Sequence, residues 1–174
     1  MTRVIADGVI KDREFYGFST AAGLLVVLIS VSETGFIPVI DHANLAFHEA
    51  GHLFFGILGN TMGLYGGTLG QLVFPVVTAV VFFRRGEYLS LGLATLWFSE
   101  NFLNIAHYTA DARSQILPLV GGGDHDWTNI LRRWDMLESD TAVAGVFTFI
   151  AWAGIVASWS IFAWLWQRDR GIYK

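Results

Sequence analysis

The stretch Leu45-Ala46-Phe47-His48-Glu49-Ala50-Gly51-His52-Leu53-Phe54-Phe55 sets two histidines and a glutamate in an otherwise apolar run. Helical residues four apart lie one above the other on the same face. His48 and His52 can therefore aim both imidazoles at one zinc ion, with Glu49 beside them to take a proton from an activated water. Such a five-residue pattern also arises by chance, as a pair of core histidines satisfied by carbonyl groups. The apolar setting weighs against that alternative, because ionisable groups inside a bilayer are expensive and mark functional positions.

Composition makes the setting a membrane. Of the 174 residues, 53% are hydrophobic and 15% charged, too apolar for an ordinary soluble domain and short enough for a single one. The net charge of -4 and the lack of a basic stripe exclude nucleic acid as a partner class. There is no cysteine, so disulfides and thiolate metal sites are excluded, and any metal must be held by nitrogen and oxygen. The expectation is one integral membrane domain over 1–174. It comprises a polar segment 1–17, a helical core 18–110 with the histidine pair, a loop 111–141 and a last membrane helix with a basic tail at 142–174.

Apolar segments fall at 18–40, 43–59, 69–83, 88–110 and 142–166. The first, fourth and fifth reach the roughly 20 residues that a bilayer core about 30 Å thick demands. The second and third are short. Between them, Gly59-Asn60-Thr61-Met62-Gly63-Leu64-Tyr65-Gly66-Gly67 reads as a tight turn or a re-entrant loop. If these two segments make one net crossing, Arg3, Lys11, Arg13, Arg84, Arg85, Arg168, Arg170 and Lys174 share a side, with only Arg113, Arg132 and Arg133 opposite. The positive-inside rule then places both termini in the cytoplasm. The expected fold is an all-α integral membrane protein. It has about four transmembrane helices, a short or re-entrant helix with the histidine pair, and an interfacial amphipathic helix. Trp152, Trp159, Trp164 and Trp166 with Arg168, Arg170 and Lys174 read as an interfacial anchor.

Two more polar elements carry chemistry. Glu100, Asn104, His107 and Asp111 form one continuous stripe on a helix face, with Asn101 beside it. It faces either a polar cavity or packed helices that it joins by hydrogen bonds. Asn104 and His107 are candidates to stabilise an oxyanion, and Glu100 and Asp111 to hold metal ligands in place. Farther on comes Gly121-Gly122-Gly123-Asp124-His125-Asp126-Trp127, where three glycines admit a close approach and an acid-His-acid run follows. Asp126 is the favoured remaining metal ligand, with His125 as its neighbour at the site. Asp124, His107 and Glu100 are the other candidates. Asp126 or Asp124 also suits the N-cap of an interfacial helix over 127–137, with Trp127 and Trp134 at the headgroups.

With these residues in view, the chain resembles the site-2 protease-like intramembrane zinc metalloproteases. The matching residues are His48-Glu49-Ala50-Gly51-His52 and the glycine-rich Gly63-Leu64-Tyr65-Gly66-Gly67, within about residues 43–70. The resemblance implies a small helical membrane core, two histidine ligands, a glutamate base and a third ligand from an aspartate on a later segment. The family's later Asn-Pro-Asp-Gly or Leu-Asp-Gly type motif is absent, and Gly123-Asp124-His125-Asp126-Trp127 is its nearest substitute. The pattern with Asp111-Ala112-Arg113, Leu117-Pro118-Leu119 and His125-Asp126-Trp127 also resembles an uncharacterised group of bacterial membrane proteins, which implies the bacterial inner membrane.

Three functions are compatible with these residues. The first is a hydrolase, most simply a peptidase, with one Zn2+ per chain held by His48, His52 and one more ligand. Glu49 is then the base, Asn104 or His107 the oxyanion donor, and a transmembrane peptide the substrate. An unwound substrate segment could pair with the glycine-rich hairpin. The second is a di-metal oxidase acting on membrane lipid, with Glu49, Glu100, His107, Asp111 and Asp126 supplying a carboxylate-rich second site. The third is a non-catalytic metal-binding subunit packed against other membrane protein subunits.

Overall fold

The computed structural model describes residues 10–32, 36–120 and 124–170. Among them run six α-helices: α1 (Asp12–Val31), α2 (Ile40–Gly56), α3 (Asn60–Arg85), α4 (Tyr88–Ala110), α5 (Asp126–Arg133) and α6 (Asp140–Asp169), with a 3-10 turn Leu137–Ser139 before α6. No strand occurs among the described residues. Three helices, α1, α3 and α6, are long and apolar enough to cross a membrane. Their outward faces expose Val27, Val77 and Phe149, as contact with lipid tails allows. The triple glycine 121–123, the first nine residues and Lys174 lie outside the described residues.

Helix α1 starts at Asp12, ahead of the apolar run, because the Glu14 carboxylate accepts the Lys11 backbone N–H at 2.8 Å and closes the first turn. It packs with α4 and α6 around Phe18. A Cβ on Gly92 of α4 would meet the Phe18 ring at 2.8 Å and the Phe162 ring at 3.0 Å. Without one, the two rings pack tilted against each other, with centroids 4.3 Å apart. Trp166 donates to Asp12 at 2.9 Å, and Arg170 also pairs with Asp12. Trp159 donates to Ser19 at 3.2 Å. Two of the tryptophans expected as interfacial anchors thus also tie α6 to α1. The starts of α1 and α4 and the end of α6 thus share one end of the bundle. At the other end, Arg113 pairs with Asp140 at 2.7 Å and fastens the exit of α4 to the start of α6.

The charge division read from the sequence makes topology testable. Reporter fusions after residues 15, 86 and 174 are expected to report cytoplasm, and one after residue 120 the opposite side. A cytoplasmic signal at 120 would overturn the expected four-crossing topology.

The glycine-rich stretch departs from expectation. Only Gly59, at φ 110, turns the chain, and α3 begins at Asn60 and runs for 26 residues. Gly63, Gly66 and Gly67 are helical, not a loop. Their use is close packing of two helices, as small residues permit in membranes. A Cβ on Gly66 would stand 2.6 Å from the Gly51 carbonyl oxygen, and one on Gly70 would be 2.8 Å from the Gly51 Cα. Turn-forming and packing glycines look alike in sequence. Since the stretch is helical, it offers no free backbone edge for a substrate strand to pair with. Pro75 sits inside α3 and, lacking an N–H, removes one of its hydrogen bonds.

Helix α5 is a second departure. It spans Asp126–Arg133, and Trp127, Ile130 and Leu131 are at most 3% exposed. They pack with Ile105 and Ala112 at the end of α4. Trp127 is thus a core residue and not a headgroup anchor, while Trp134 stays at the surface and donates to the Tyr65 hydroxyl at 3.1 Å. The apolar face of α5 is covered by the protein's own helices, which fixes the start of α5 against α2 and α3.

Candidate metal centre

Three side chains converge between α2 and the first residue of α5. His48, His52 and Asp126 form a group able to hold a metal ion, with ligand atoms all within 4.8 Å of one another. The Asp126 Oδ2 lies 2.8 Å from His48 Nε2 and 3.0 Å from His52 Nε2, and the two Nε2 atoms are 3.0 Å apart. Among the described residues this is the one such group. Asp126 is seventy-four residues from His52 in sequence, and only the docking of α5 joins them.

The protonation of each ring follows from its outer nitrogen. His52 Nδ1 lies 2.7 Å from the Gly63 carbonyl oxygen, an acceptor only, so Nδ1 carries the proton. His48 Nδ1 lies 3.0 Å from Gln71 Oε1, whose own amide nitrogen is spent donating to Asn104 at 2.7 Å. His48 Nδ1 is therefore also N–H. Both Nε2 atoms and Asp126 Oδ2 then face one another as lone pairs, and only a cation holds such atoms together: a metal ion, or a proton taken up by one imidazole. Burial acts to raise the Asp126 carboxyl, but its imidazole partners outweigh it and hold it below the usual carboxylate range.

The donor set and the space both fit a metal. Two imidazoles and a carboxylate are ordinary zinc ligands, at bonds of about 2.0–2.2 Å. Space is provided by Gly67, where a Cβ would stand 2.6 Å from His52 Nε2 and would also overlap the His48 ring. The ligand atoms sit a few tenths of an ångström inside the edge of about 3.3 Å that a tetrahedron of such bonds requires. A small outward shift accommodates it.

The first helical position of α5 is where Asp126 is presented, and its neighbour explains why. His125 is the N-cap of α5, its Nδ1 accepting from the Thr128 backbone N–H at 3.2 Å. The cap expected of Asp126 or Asp124 is thus filled by a histidine, and Asp126 is left to face the imidazoles. His125 is turned elsewhere: its ring lies tilted against Tyr108 with centroids 4.2 Å apart, and its buried Nε2 makes no hydrogen bond, with Asp111 Oδ2 3.5 Å away. It does not join the ligand atoms. Burial lowers its affinity for a proton, which keeps the ring neutral with the proton on Nε2. Asp124 is exposed and outside the group.

The stripe on α4 divides among several tasks. Asp111 ends the helix and accepts from the Ile116 and Leu117 backbone N–H groups at 2.9 and 3.1 Å and from Ser114 at 2.7 Å. Burial alone acts to raise this carboxyl, and those three donors outweigh it, so it lies below the usual range. His107 is exposed and lines a separate cavity of about 380 Å³ between α1, α4 and α6, together with Glu100. Asn104 has both ends of its amide committed, to Gln71 and to Asp41. Neither Asn104 nor His107 is thus placed as an oxyanion donor, and no second carboxylate-rich group for a di-metal site forms among the described residues.

Tyr108, by contrast, lies beside the ligand group. Its hydroxyl accepts from the Asp126 backbone N–H at 3.2 Å, which leaves its own hydrogen to donate. Its ring lies 5.7 Å from that of His48. Glu49 is half-buried, within electrostatic reach of His52 and Tyr108. Gln71, Asp41 and Asn44 were also not anticipated as parts of the site. A signal existed for two of them: Asp41, Asn44 and His48 continue one face of α2 at helical spacing. Gln71 stands alone as an amide in an apolar segment, and nothing in the sequence singles out Tyr108.

No family model matches this chain, and neither a curated protein nor a solved structure is similar to it at a significant level.

Proposed function

We propose that the chain is a zinc-dependent hydrolase working within the membrane, most simply a peptidase that cleaves a transmembrane peptide. One observation carries this reading: His48, His52 and Asp126 supply three ligand atoms to one point, from two helices far apart in sequence. Structural zinc sites close with four protein ligands, whereas catalytic ones use three and keep a position open. The resemblance of residues 43–70 to site-2 protease-like metalloproteases points the same way. So does Glu49, adjacent in sequence to one ligand and within electrostatic reach of another.

Bound zinc supplies Lewis acidity, which brings water deprotonation and carbonyl polarisation within reach near neutral pH. The protein's groups do the rest. Glu49 takes the proton of the attacking water and returns it to the departing amine, as a general base and then acid. The Tyr108 hydroxyl donates to the oxygen that gains charge at the carbonyl. Asp126, ionised and held by its N–H bond to Tyr108, would offset part of the ion's positive charge, which the two neutral imidazoles do not. Lipid surrounds the outward faces of α1, α3 and α6. The charge division supports both termini in the cytoplasm, and the resemblance to uncharacterised bacterial membrane proteins supports the bacterial inner membrane.

The test uses protein purified without added metal. About one zinc per chain is expected, together with metal-dependent hydrolysis of a labelled transmembrane peptide. Glu49→Gln is expected to keep the zinc and lose hydrolysis by about 100- to 10,000-fold, the range for a missing general base. Zinc bound at full stoichiometry, with peptide turnover equal in Glu49→Gln and the unaltered chain, would sink the peptidase assignment.

A further inference from the structure

Behind His48 lies a chain of buried polar groups that the reaction does not touch. Asp41, Asn44, Gln71 and Glu100 are each at most 2% exposed, in helices of a membrane protein. Groups of this kind are costly there unless each is satisfied. They satisfy one another in a single order. Trp97, which can only donate, gives its indole N–H to Asn44 Oδ1 at 2.8 Å. That turns the Asn44 amide nitrogen to the acids, 2.9 Å from Glu100 Oε2 and 3.5 Å from Asp41 Oδ1. Asn104 donates to Asp41 Oδ1 at 2.7 Å, and the Ile37 backbone N–H donates to Asp41 Oδ2.

The Asn44 amide nitrogen thus brings the Asp41 and Glu100 carboxyls side by side, and two neighbouring buried carboxyls disfavour being ionised together. Asp41 collects donors from Ile37, Asn44 and Asn104, whereas Glu100 has Asn44 alone. Asp41 is thus the ionised, acceptor-only partner. An acceptor at Asp41 compels Asn104 to present its amide nitrogen there and its oxygen to Gln71. Gln71 must then present its nitrogen to Asn104 and its oxygen to His48. His48 can meet that oxygen only with an N–H at Nδ1, which leaves the Nε2 lone pair for a metal.

We propose that Asp41, seven residues before His48 and outside the ligand group, is a positioning residue that fixes the His48 tautomer through Asn104 and Gln71. The inference rests on the metal reading above for its consequence, but the tautomer itself is a property of the metal-free protein. It extends the usual carboxylate-to-histidine support of a metal ligand by two amides, which reverse no step because each is oriented by its neighbour.

The test compares Asp41→Leu and Asn104→Leu, which cut the chain at different points, with Asp41→Asn, which keeps an acceptor oxygen for Asn104. Two readouts are taken: the 15N spectrum of histidine-labelled, metal-free protein, and the zinc dissociation constant by chelator competition. His48 in the unaltered chain is expected to carry its proton at Nδ1. In both leucine variants the ring is expected to become a mixture of tautomers, with zinc weakened by about 10- to 100-fold, the range for losing an outer partner. Asp41→Asn is expected to restore the Nδ1–H form and the affinity, which a merely space-filling role of Asp41 would not require. Should Asp41→Leu fail to fold, Asn104→Leu decides, because it leaves both acids in place. A His48 ring that stays Nδ1–H, with zinc affinity unchanged, in a folded leucine variant would overturn the proposal. If the unaltered chain takes up no zinc, the metal reading fails and the spectra still decide the tautomer.

Discussion

Replacing Gly67 by alanine is expected to strip the protein of its metal while leaving the helix intact. The added Cβ would stand 2.6 Å from His52 Nε2 and overlap the His48 ring as well. Both ligands would be pushed outward from the common point. The loss of zinc affinity is expected to exceed the roughly 10- to 100-fold of a missing outer partner, because two bonds to the ion are displaced at once. Secondary structure is expected to hold, since alanine is about 1 kcal/mol better than glycine inside a helix. Metal analysis and circular dichroism on the same sample check both halves. Full zinc in a folded Gly67→Ala variant would mean that the ion, if any, sits elsewhere.

The second large effect belongs to the ligands. The double variant His48→Ala, His52→Ala is expected to bind no zinc, because it removes both nitrogen ligands of a three-membered group. Asp126→Ala is expected to lose most of the affinity. His107→Ala is expected to keep it, because His107 faces the cavity between α1, α4 and α6 and not the ligand atoms. Measured by zinc titration, these variants rank the residues by position, whereas the sequence leaves His107 as one of the other candidates behind Asp126. Retention of stoichiometric zinc by the double histidine variant would end the assignment of this group as a metal centre.

Composition and helical spacing by themselves determined an all-helical chain with membrane-length apolar helices, and the facing of His48 and His52 on one of them. Those properties are local: an i, i+4 pair shares a face in any helix, and an apolar run declares itself in its own residues. Asp126 was legible only as one candidate among neighbours, because capping and ligation call for the same residue types at a helix start.

Tertiary structure alone decided between them. With the apolar face of α5 buried on the end of α4 and His125 taking the cap, the Asp126 carboxylate is carried to the two imidazoles. In sequence the glycines at 63, 66 and 67 suggest backbone freedom, and their role, like that of Gly70, depends instead on what faces them. Gly66 and Gly70 let α2 approach, and Gly67 leaves room beside the histidines. The α4 stripe is one continuous face in sequence, but three different neighbours divide it. Glu100 turns to Asn44, Asn104 to Gln71, and Asp111 to the loop that follows. Which group a polar side chain meets is set by the helix packed against it, and that is decided by contacts between residues far apart in the chain.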